Sequence, residues 1–316
     1  MSARILIIED EALVAMELRF VLEDLGHEVV DICATAKAAL AGFWRRISHA
    51  AAFSPLQPSP WDRLTHNHAL DSSPAFLLFD LMTKVVSPYQ LNPWNWNPLR
   101  HVLEQSVDFE RLRERAPVKL FLAATNVRTG KVKVFTGAEI TPDAVMASAC
   151  LPFLFQAVEI DGEAYWDGGY MGNPAIYPLI YHCASTDVLV VHINPLCRPD
   201  LPRSATEIMN RINEISFNSS LMRDLRTIRD IQRLARDEDF SDPTLRNIAD
   251  LRIHMIVAGP ELAEGGSAGK LDTRFSTISR LHGLGRDAAA RWLDEAFEGV
   301  GTRSTARSTM DGFAEV

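Results

Sequence analysis

The residues best suited to chemistry in this chain lie around Asp167, which follows Tyr165 and Trp166 and precedes Gly168 and Gly169. Apolar neighbours can hold a carboxylate in a dry environment, where its charge and its pKa are strongly altered. Glycines allow the backbone to turn tightly and to approach another strand closely. Asp-Gly-Gly is also common in ordinary turns after short strands, so the triplet alone leaves a site and a plain turn both open.

The sequence on both sides of this triplet resembles that of patatin-like phospholipases, from about Phe43 to about Arg303. Those proteins are lipid acyl hydrolases with a Ser–Asp dyad. The resemblance implies that Asp167 is the base that takes the proton from the serine during attack on an ester carbonyl. It also implies a lipid or acyl-ester substrate, peripheral contact with membranes and no cofactor. The matching stretches are Phe43–Ile47, Ser87–Tyr89, Asn92–Pro93, Ala123–Asn126, Ile140–Pro152, Val158–Gly169 and Asn173–Pro174.

The nucleophile of that family lies before the acid, on a Gly-x-Ser-x-Gly elbow preceded by a Gly-rich oxyanion loop, and residues 1–120 contain neither. Gly265–Gly269 satisfies the pattern formally, with Ser267 at its centre. An elbow needs a strand directly before its serine and a helix directly after it. Ser267 lies well past the strand predicted at Ile253–Val257, in a stretch typical of a flexible loop. Thr35 is the other weak candidate, near the expected elbow position but without flanking glycines. We therefore expect impaired catalysis.

The beginning of the chain resembles the opening of a receiver domain from a bacterial response regulator. Ile5–Ile8 is a short apolar strand that ends in Glu9 and Asp10, and Ala12–Leu25 has the period of an amphipathic helix. The resemblance implies Mg²⁺ binding at these two acids, since carboxylate oxygens suit that ion. Ala51–Pro55, where the third strand should end in a phosphoacceptor, contains no acid. We therefore expect neither phosphorelay chemistry nor a metal site.

These resemblances divide the chain into three predicted parts. A truncated receiver-like segment covers residues 1–41, a patatin-like domain covers 42–303, and a tail covers 304–316. Apolar strands typical of parallel sheets alternate with helices, which predicts an α/β fold with a layered sheet and helices on both faces. The patatin-like fold also opens with a strand, a helix and a strand. We hypothesise that the receiver-like segment supplies these opening elements.

Local sequence signals predict where two tryptophans, one serine and one turn lie, and which segments form strands and helices. Trp94 and Trp96 lie in a Pro/Asn loop, where they are expected to pack under the fold, with docking on a lipid surface as the alternative. Ser148 is expected to face the core, and Gly283–Gly285 to form a turn before the last helix. The predicted strands are Val118–Thr125, Lys131–Phe135, Asp187–Ile193 and Ile253–Val257, and the predicted helices are Asp143–Ala149, Glu207–Arg236 and Asp287–Glu298.

Composition restricts the remaining function classes. The chain has 316 residues, of which 47% are hydrophobic and 23% charged, as in soluble globular proteins. A net charge of −9 argues against nucleic acid as the main partner. The sequence contains no apolar run of membrane-spanning length and no signal-peptide pattern. Its four cysteines lack metal-ligand spacing. Together these features predict a cytoplasmic location. The alternatives to a hydrolase are a non-catalytic interaction protein or the product of a rearranged gene, and a phosphorelay receiver ranks third.

Overall fold

The computed structural model describes residues 7–8, 33–51, 74–115, 118–198, 200–235, 241–259 and 272–306. These residues form two compact units. The antiparallel unit contains the described residues of 32–168 and 261–283. The parallel unit contains those of 1–31, 169–260 and 284–316. Each unit has its own sheet.

The antiparallel unit is built on a four-stranded sheet with strand order β3-β2-β5-β4. β2 pairs antiparallel with β3 and β5, and β4 pairs antiparallel with β5. The hairpin predicted for the first two strands is confirmed, and its turn contains Gly130 at a φ of +65°, a conformation that favours glycine. The strands are β2 Phe121–Asn126, β3 Val132–Thr136, β4 Val158–Ile160 and β5 Glu163–Asp167.

Six described helices belong to the antiparallel unit, and proline begins several of them because its fixed φ suits the first helical turn. Thr141 caps the last of the six, since its hydroxyl accepts the Ala144 N–H at 3.1 Å. This cap and the following helix are as the sequence predicts, and Ser148 at the helix end is buried. The helices are α1 Cys33–Ala50, α2 Pro74–Val85, α3 Pro88–Leu91, α4 Pro98–Ser106, α5 Phe109–Arg115 and α6 Pro142–Ser148.

The parallel unit is built on three parallel strands in the order β1-β6-β7. Val188, Leu189 and Val190 of the middle strand are almost completely buried, as is typical of a strand covered on both faces. The predictions for β6, β7 and the long helix α8 are confirmed. The strands are β1 Ile7–Ile8, β6 Asp187–His192 and β7 Arg252–Val257, and the helices are α7 Tyr177–His182, α8 Ala205–Leu234 and α9 Pro243–Ala249.

The last helix, α10, runs from Phe275 to Ala296 and is longer than predicted. The expected turn at Gly283–Gly285 is wrong, because both glycines lie inside this helix. A glycine in a helix costs only about 1 kcal/mol, which packing elsewhere can offset. Such packing is present, since Ala289 and Trp292 join a buried cluster with Leu189.

The described architecture is mixed helix and sheet, consistent with the predicted α/β class. The strands separate into one parallel and one antiparallel sheet, a division that the sequence does not predict. β1 pairs with β6 through Ile7 and Leu189. Most of the receiver-like segment lies outside the described residues, so the hypothesis that it supplies the opening of the fold stays a prediction.

Candidate functional site

Asp167 is the last residue of β5, and hydrogen bonds hold its backbone from two sides. Its Cα is paired with that of Ala124 in β2. Its N–H donates to the carbonyl oxygen of Cys150 at 2.9 Å, and its own carbonyl oxygen accepts from Thr125 Oγ1 at 2.8 Å. The residue is half-buried. The sheet therefore fixes the point from which the Asp167 carboxylate extends, as a positioned acid or base requires.

Gly168 lies where the backbone after β5 comes very close to β2. A Cβ atom at this position would lie 2.3 Å from the carbonyl oxygen of Ala123 and 2.7 Å from its carbonyl carbon. Both Gly168 and Gly169 are buried, and they form a short 3₁₀ turn with Tyr170. The close backbone approach expected for the Asp-Gly-Gly triplet is therefore present at Gly168.

Cys150 is buried beside the acid, two residues after the end of α6. Its thiol donates to the carbonyl oxygen of Gln156 at 3.2 Å. Burial, and then the negative charge of Asp167, raise the pKa of this thiol to about 12. The thiolate is the reactive form of cysteine, so this environment disfavours Cys150 as a nucleophile at neutral pH.

The raised pKa predicts that Cys150 resists alkylation in the folded protein. At pH 8 about one Cys150 thiol in ten thousand is ionised, because its pKa is about 12. Iodoacetamide followed by peptide mass spectrometry is expected to modify the exposed Cys197 readily and Cys150 only after unfolding. Replacing Asp167 by asparagine should speed Cys150 alkylation only modestly, because burial is the larger cause. Equal labelling of both cysteines in the folded protein would contradict this environment.

Of the other predicted site residues, only Thr35 falls within the described residues. Thr35 lies in the first turn of α1, and no strand end with flanking glycines precedes it in the described residues. Ser267, Glu9 and Asp10 lie outside the described residues. Across the described ranges, no three His, Cys, Asp or Glu side chains come together as metal ligands would.

A small cavity lies in the parallel unit, lined by Asn173, Pro174, His192 and Asn218 among others. The His192 Nε2 and Asn218 Oδ1 atoms are 3.1 Å apart. The cavity volume is about 20 Å³, enough for one water molecule. It is therefore too small to receive an acyl chain.

Two residues that position the acid were not singled out from the sequence. Thr125 and Cys150 lie in the stretches Ala123–Asn126 and Ile140–Pro152, which stand out in the sequence only through the resemblance. The sequence does offer one signal for Thr125, because it is a hydroxyl residue at the end of a predicted strand. Thr125 is buried in the structure, and a buried hydroxyl needs a hydrogen-bond acceptor. Its acceptor, the Asp167 carbonyl oxygen, depends on strand pairing between residues far apart in the chain.

Part of the sequence that forms this site is similar to a known protein family. Residues 40–180 match the model of the Patatin family, described as patatin-like phospholipase. The matched range contains the whole antiparallel sheet together with Asp167, Gly168 and Gly169. A search of curated proteins found no match. The match covers less than half of the chain, so it shows a likeness to that family over this range.

Proposed function

We propose that this chain descends from patatin-like lipid acyl hydrolases, that Asp167 is the acid retained from their dyad, and that its ester hydrolysis is impaired. The supporting observation is Asp167 itself. It ends a strand inside the matched range, its backbone is held by Cys150 and Thr125, and Gly168 follows at a contact that admits no side chain.

The impairment follows from the residues before the acid. No serine between Met1 and Asp167 lies in a Gly-x-Ser-x-Gly elbow. The thiol nearest the acid, Cys150, is held in its protonated form. An acid–base residue accelerates attack only when a nucleophile lies within hydrogen-bond reach. Removing the serine of a serine hydrolase lowers kcat on the order of a millionfold, and the acid alone does not replace it.

We expect the purified protein to show no hydrolysis of p-nitrophenyl butyrate or phosphatidylcholine above the rate without protein. It should also fail to react with a fluorophosphonate probe, which requires an activated serine. The matched variants are Asp167→Asn and Ser267→Ala, and both should give the wild-type background rate. The probe adduct is measured by intact mass and located by peptide mapping.

Each contrary outcome has a distinct meaning. Hydrolysis lost in Ser267→Ala would make Ser267 the nucleophile and contradict its assignment to a loop. Hydrolysis lost in Asp167→Asn, with labelling at another serine, would show a working dyad and overturn the proposed impairment. Activity that neither variant changes would place the chemistry away from Asp167.

The second candidate function is a non-catalytic interaction protein that keeps the family's framework. One observation favours it: the aromatic side chains of Trp94, Trp96 and Phe153 are exposed on the antiparallel unit. Large exposed apolar surfaces mark binding sites more often than chance placement.

A further inference from the structure

The turn at residues 92–97 presents two tryptophans to solvent. Trp94 is 89% exposed and Trp96 is 69% exposed, so the expectation that they pack under the fold is wrong. The turn is nevertheless well supported. The side chain of Asn92 accepts the Trp96 N–H at 2.9 Å and donates to the Trp96 carbonyl oxygen at 2.8 Å. Two indoles are therefore held outward by a hydrogen-bonded frame.

A third exposed aromatic residue lies on a neighbouring turn. Phe153 is 65% exposed in the turn that follows α6. Two hydrogen bonds join this segment to the chain around the tryptophans, one to the tryptophan turn and one to α3. Gln156 Nε2 donates to the Asn92 carbonyl oxygen at 2.7 Å, and the Ala157 N–H donates to the Tyr89 hydroxyl at 3.3 Å. We call the exposed residues of α3 and of these two turns the aromatic rim: Tyr89, Leu91, Trp94, Trp96 and Phe153.

Charge is excluded from both segments that form the aromatic rim. Residues 85–99 contain no Asp, Glu, Lys, Arg or His, and the same is true of residues 144–158. In a chain that is 23% charged, hydrogen bonds bring together two such stretches, and the Arg100–Asp143 ion pair lies just beyond both of them. The rim carries no cation to attract anionic lipid headgroups, and the whole chain has a net charge of −9.

The aromatic rim is also joined to the candidate acid. Gln156, which holds Asn92, accepts the Cys150 thiol through its carbonyl oxygen at 3.2 Å. The backbone carbonyl oxygen of Cys150 in turn accepts the Asp167 N–H at 2.9 Å. A short chain of hydrogen bonds within the antiparallel unit therefore runs from the tryptophan turn to Asp167.

We propose that the aromatic rim is a docking surface for a neutral, zwitterionic phospholipid layer. Indole rings favour the interface between headgroups and acyl chains, and aromatic contact there needs no charge. An uncharged rim on an acidic chain fits a phosphatidylcholine surface better than an anionic one. This inference rests on the proposed lipid lineage, and hydrogen bonds connect the rim to Asp167 within the same unit. Among the described helices, none combines the length and apolarity needed to cross a bilayer, so the contact is peripheral.

Vesicle flotation tests the proposal with the full chain. Wild-type protein should float with phosphatidylcholine vesicles, and the Trp94→Ala/Trp96→Ala variant should bind at least about tenfold more weakly. The conservative variant Trp94→Phe/Trp96→Phe should recover part of the binding. Leu201→Ala is the matched control, because Leu201 is also highly exposed but belongs to the parallel unit. Raising the salt concentration should leave binding unchanged, and adding phosphatidylglycerol should not strengthen it.

Quenching by brominated phosphatidylcholine gives a second measurement. It should quench wild-type tryptophan fluorescence and have little effect on the double alanine variant. Three results would overturn the proposal: no binding to neutral vesicles, equal binding by the double variant, or binding only with anionic lipid. A dimer in light scattering that the double variant abolishes would also overturn it, by showing a self-association surface. Asp167→Asn should float like the wild type, so a failure of docking and a failure of the proposed hydrolase lineage remain distinguishable.

Discussion

Replacing Asp187 by asparagine is expected to lower the free energy of unfolding by about 3 kcal/mol at pH 7, because it removes the charge at the centre of a buried network. The Asp187 side chain, at the start of β6, is only 13% exposed. Its carboxylate accepts from Arg252 Nε and Nη2, each at 2.9 Å, from His254 Nε2 at 3.0 Å and from the Gly301 N–H at 2.8 Å. An asparagine side chain cannot accept all four bonds, because its nitrogen is a donor.

The protonation of His254 fixes the direction of these hydrogen bonds. Burial lowers the pKa of His254 despite the opposing effect of Asp187, so the ring is neutral at pH 7. Nε2 then donates to the ionised Asp187, and Nδ1 accepts from Thr305 Oγ1 at 2.9 Å. Burial opposes ionisation of Asp187 as well. The bonds from Arg252, Gly301 and His254 outweigh it and hold the pKa of Asp187 well below its usual range.

Both lowered pKa values give the network a defined dependence on pH. A group whose pKa is lower in the folded state stabilises the fold above its unfolded pKa and loses that contribution as the pH falls. His254 should therefore begin to lower stability below about pH 6.5, and Asp187 below about pH 4. In Asp187→Asn the second loss should disappear, so the difference from the wild type should shrink as the pH falls below 4.

Urea unfolding followed by circular dichroism measures these differences at each pH. Asp230→Asn is the matched control, because Asp230 is exposed on α8 in the same unit. It should change the free energy of unfolding by less than about 0.5 kcal/mol. If Asp187→Asn were as mild as Asp230→Asn at pH 7, the network would contribute little to stability. A difference that persisted unchanged at pH 3 would contradict the assigned ionisation of Asp187.

Local sequence signals predict many elements of this fold. The hairpin of β2 and β3 follows from two apolar runs around Thr129 and Gly130, and α6 follows from Thr141 and Pro142 at its start. These signals act within a few residues, so the chain carries them wherever it folds. The same holds for the acid, whose strand, aromatic neighbours and glycines are contiguous. The family match over residues 40–180 agrees with the resemblance over that range.

Long-range contacts explain what the sequence leaves out. Trp94 and Trp96 look like packing residues because tryptophan is usually buried, but the structure exposes both to solvent. The roles of Thr125 and Cys150 depend on hydrogen bonds to Asp167, which lies more than a dozen residues further along the chain. Gly283 and Gly285 signal a turn locally, but packing of the rest of α10 overrides them.

Replacing Gly168 by alanine is expected to lower the free energy of unfolding by about 2–4 kcal/mol, because the added methyl group overlaps backbone atoms. The new Cβ would lie 2.3 Å from the carbonyl oxygen of Ala123 in β2. A change of rotamer cannot relieve this overlap, since neither group belongs to a flexible side chain. The strands must separate, which strains the register that pairs Asp167 with Ala124 and weakens the bond from Thr125.

Thermal and urea unfolding of Gly168→Ala should be compared with those of Gly42→Ala. Gly42 lies inside α1 in the same unit, and a Cβ there meets nothing within 4 Å. Alanine is the better helix former, so Gly42→Ala should stabilise the protein by up to about 1 kcal/mol. Because both variants add one methyl group to a glycine, opposite signs isolate the backbone contact at Gly168 as the cause. A Gly168→Ala protein as stable as the wild type would show that β5 and β2 do not approach as closely as described. It would also contradict the fixed position of Asp167 at the end of β5.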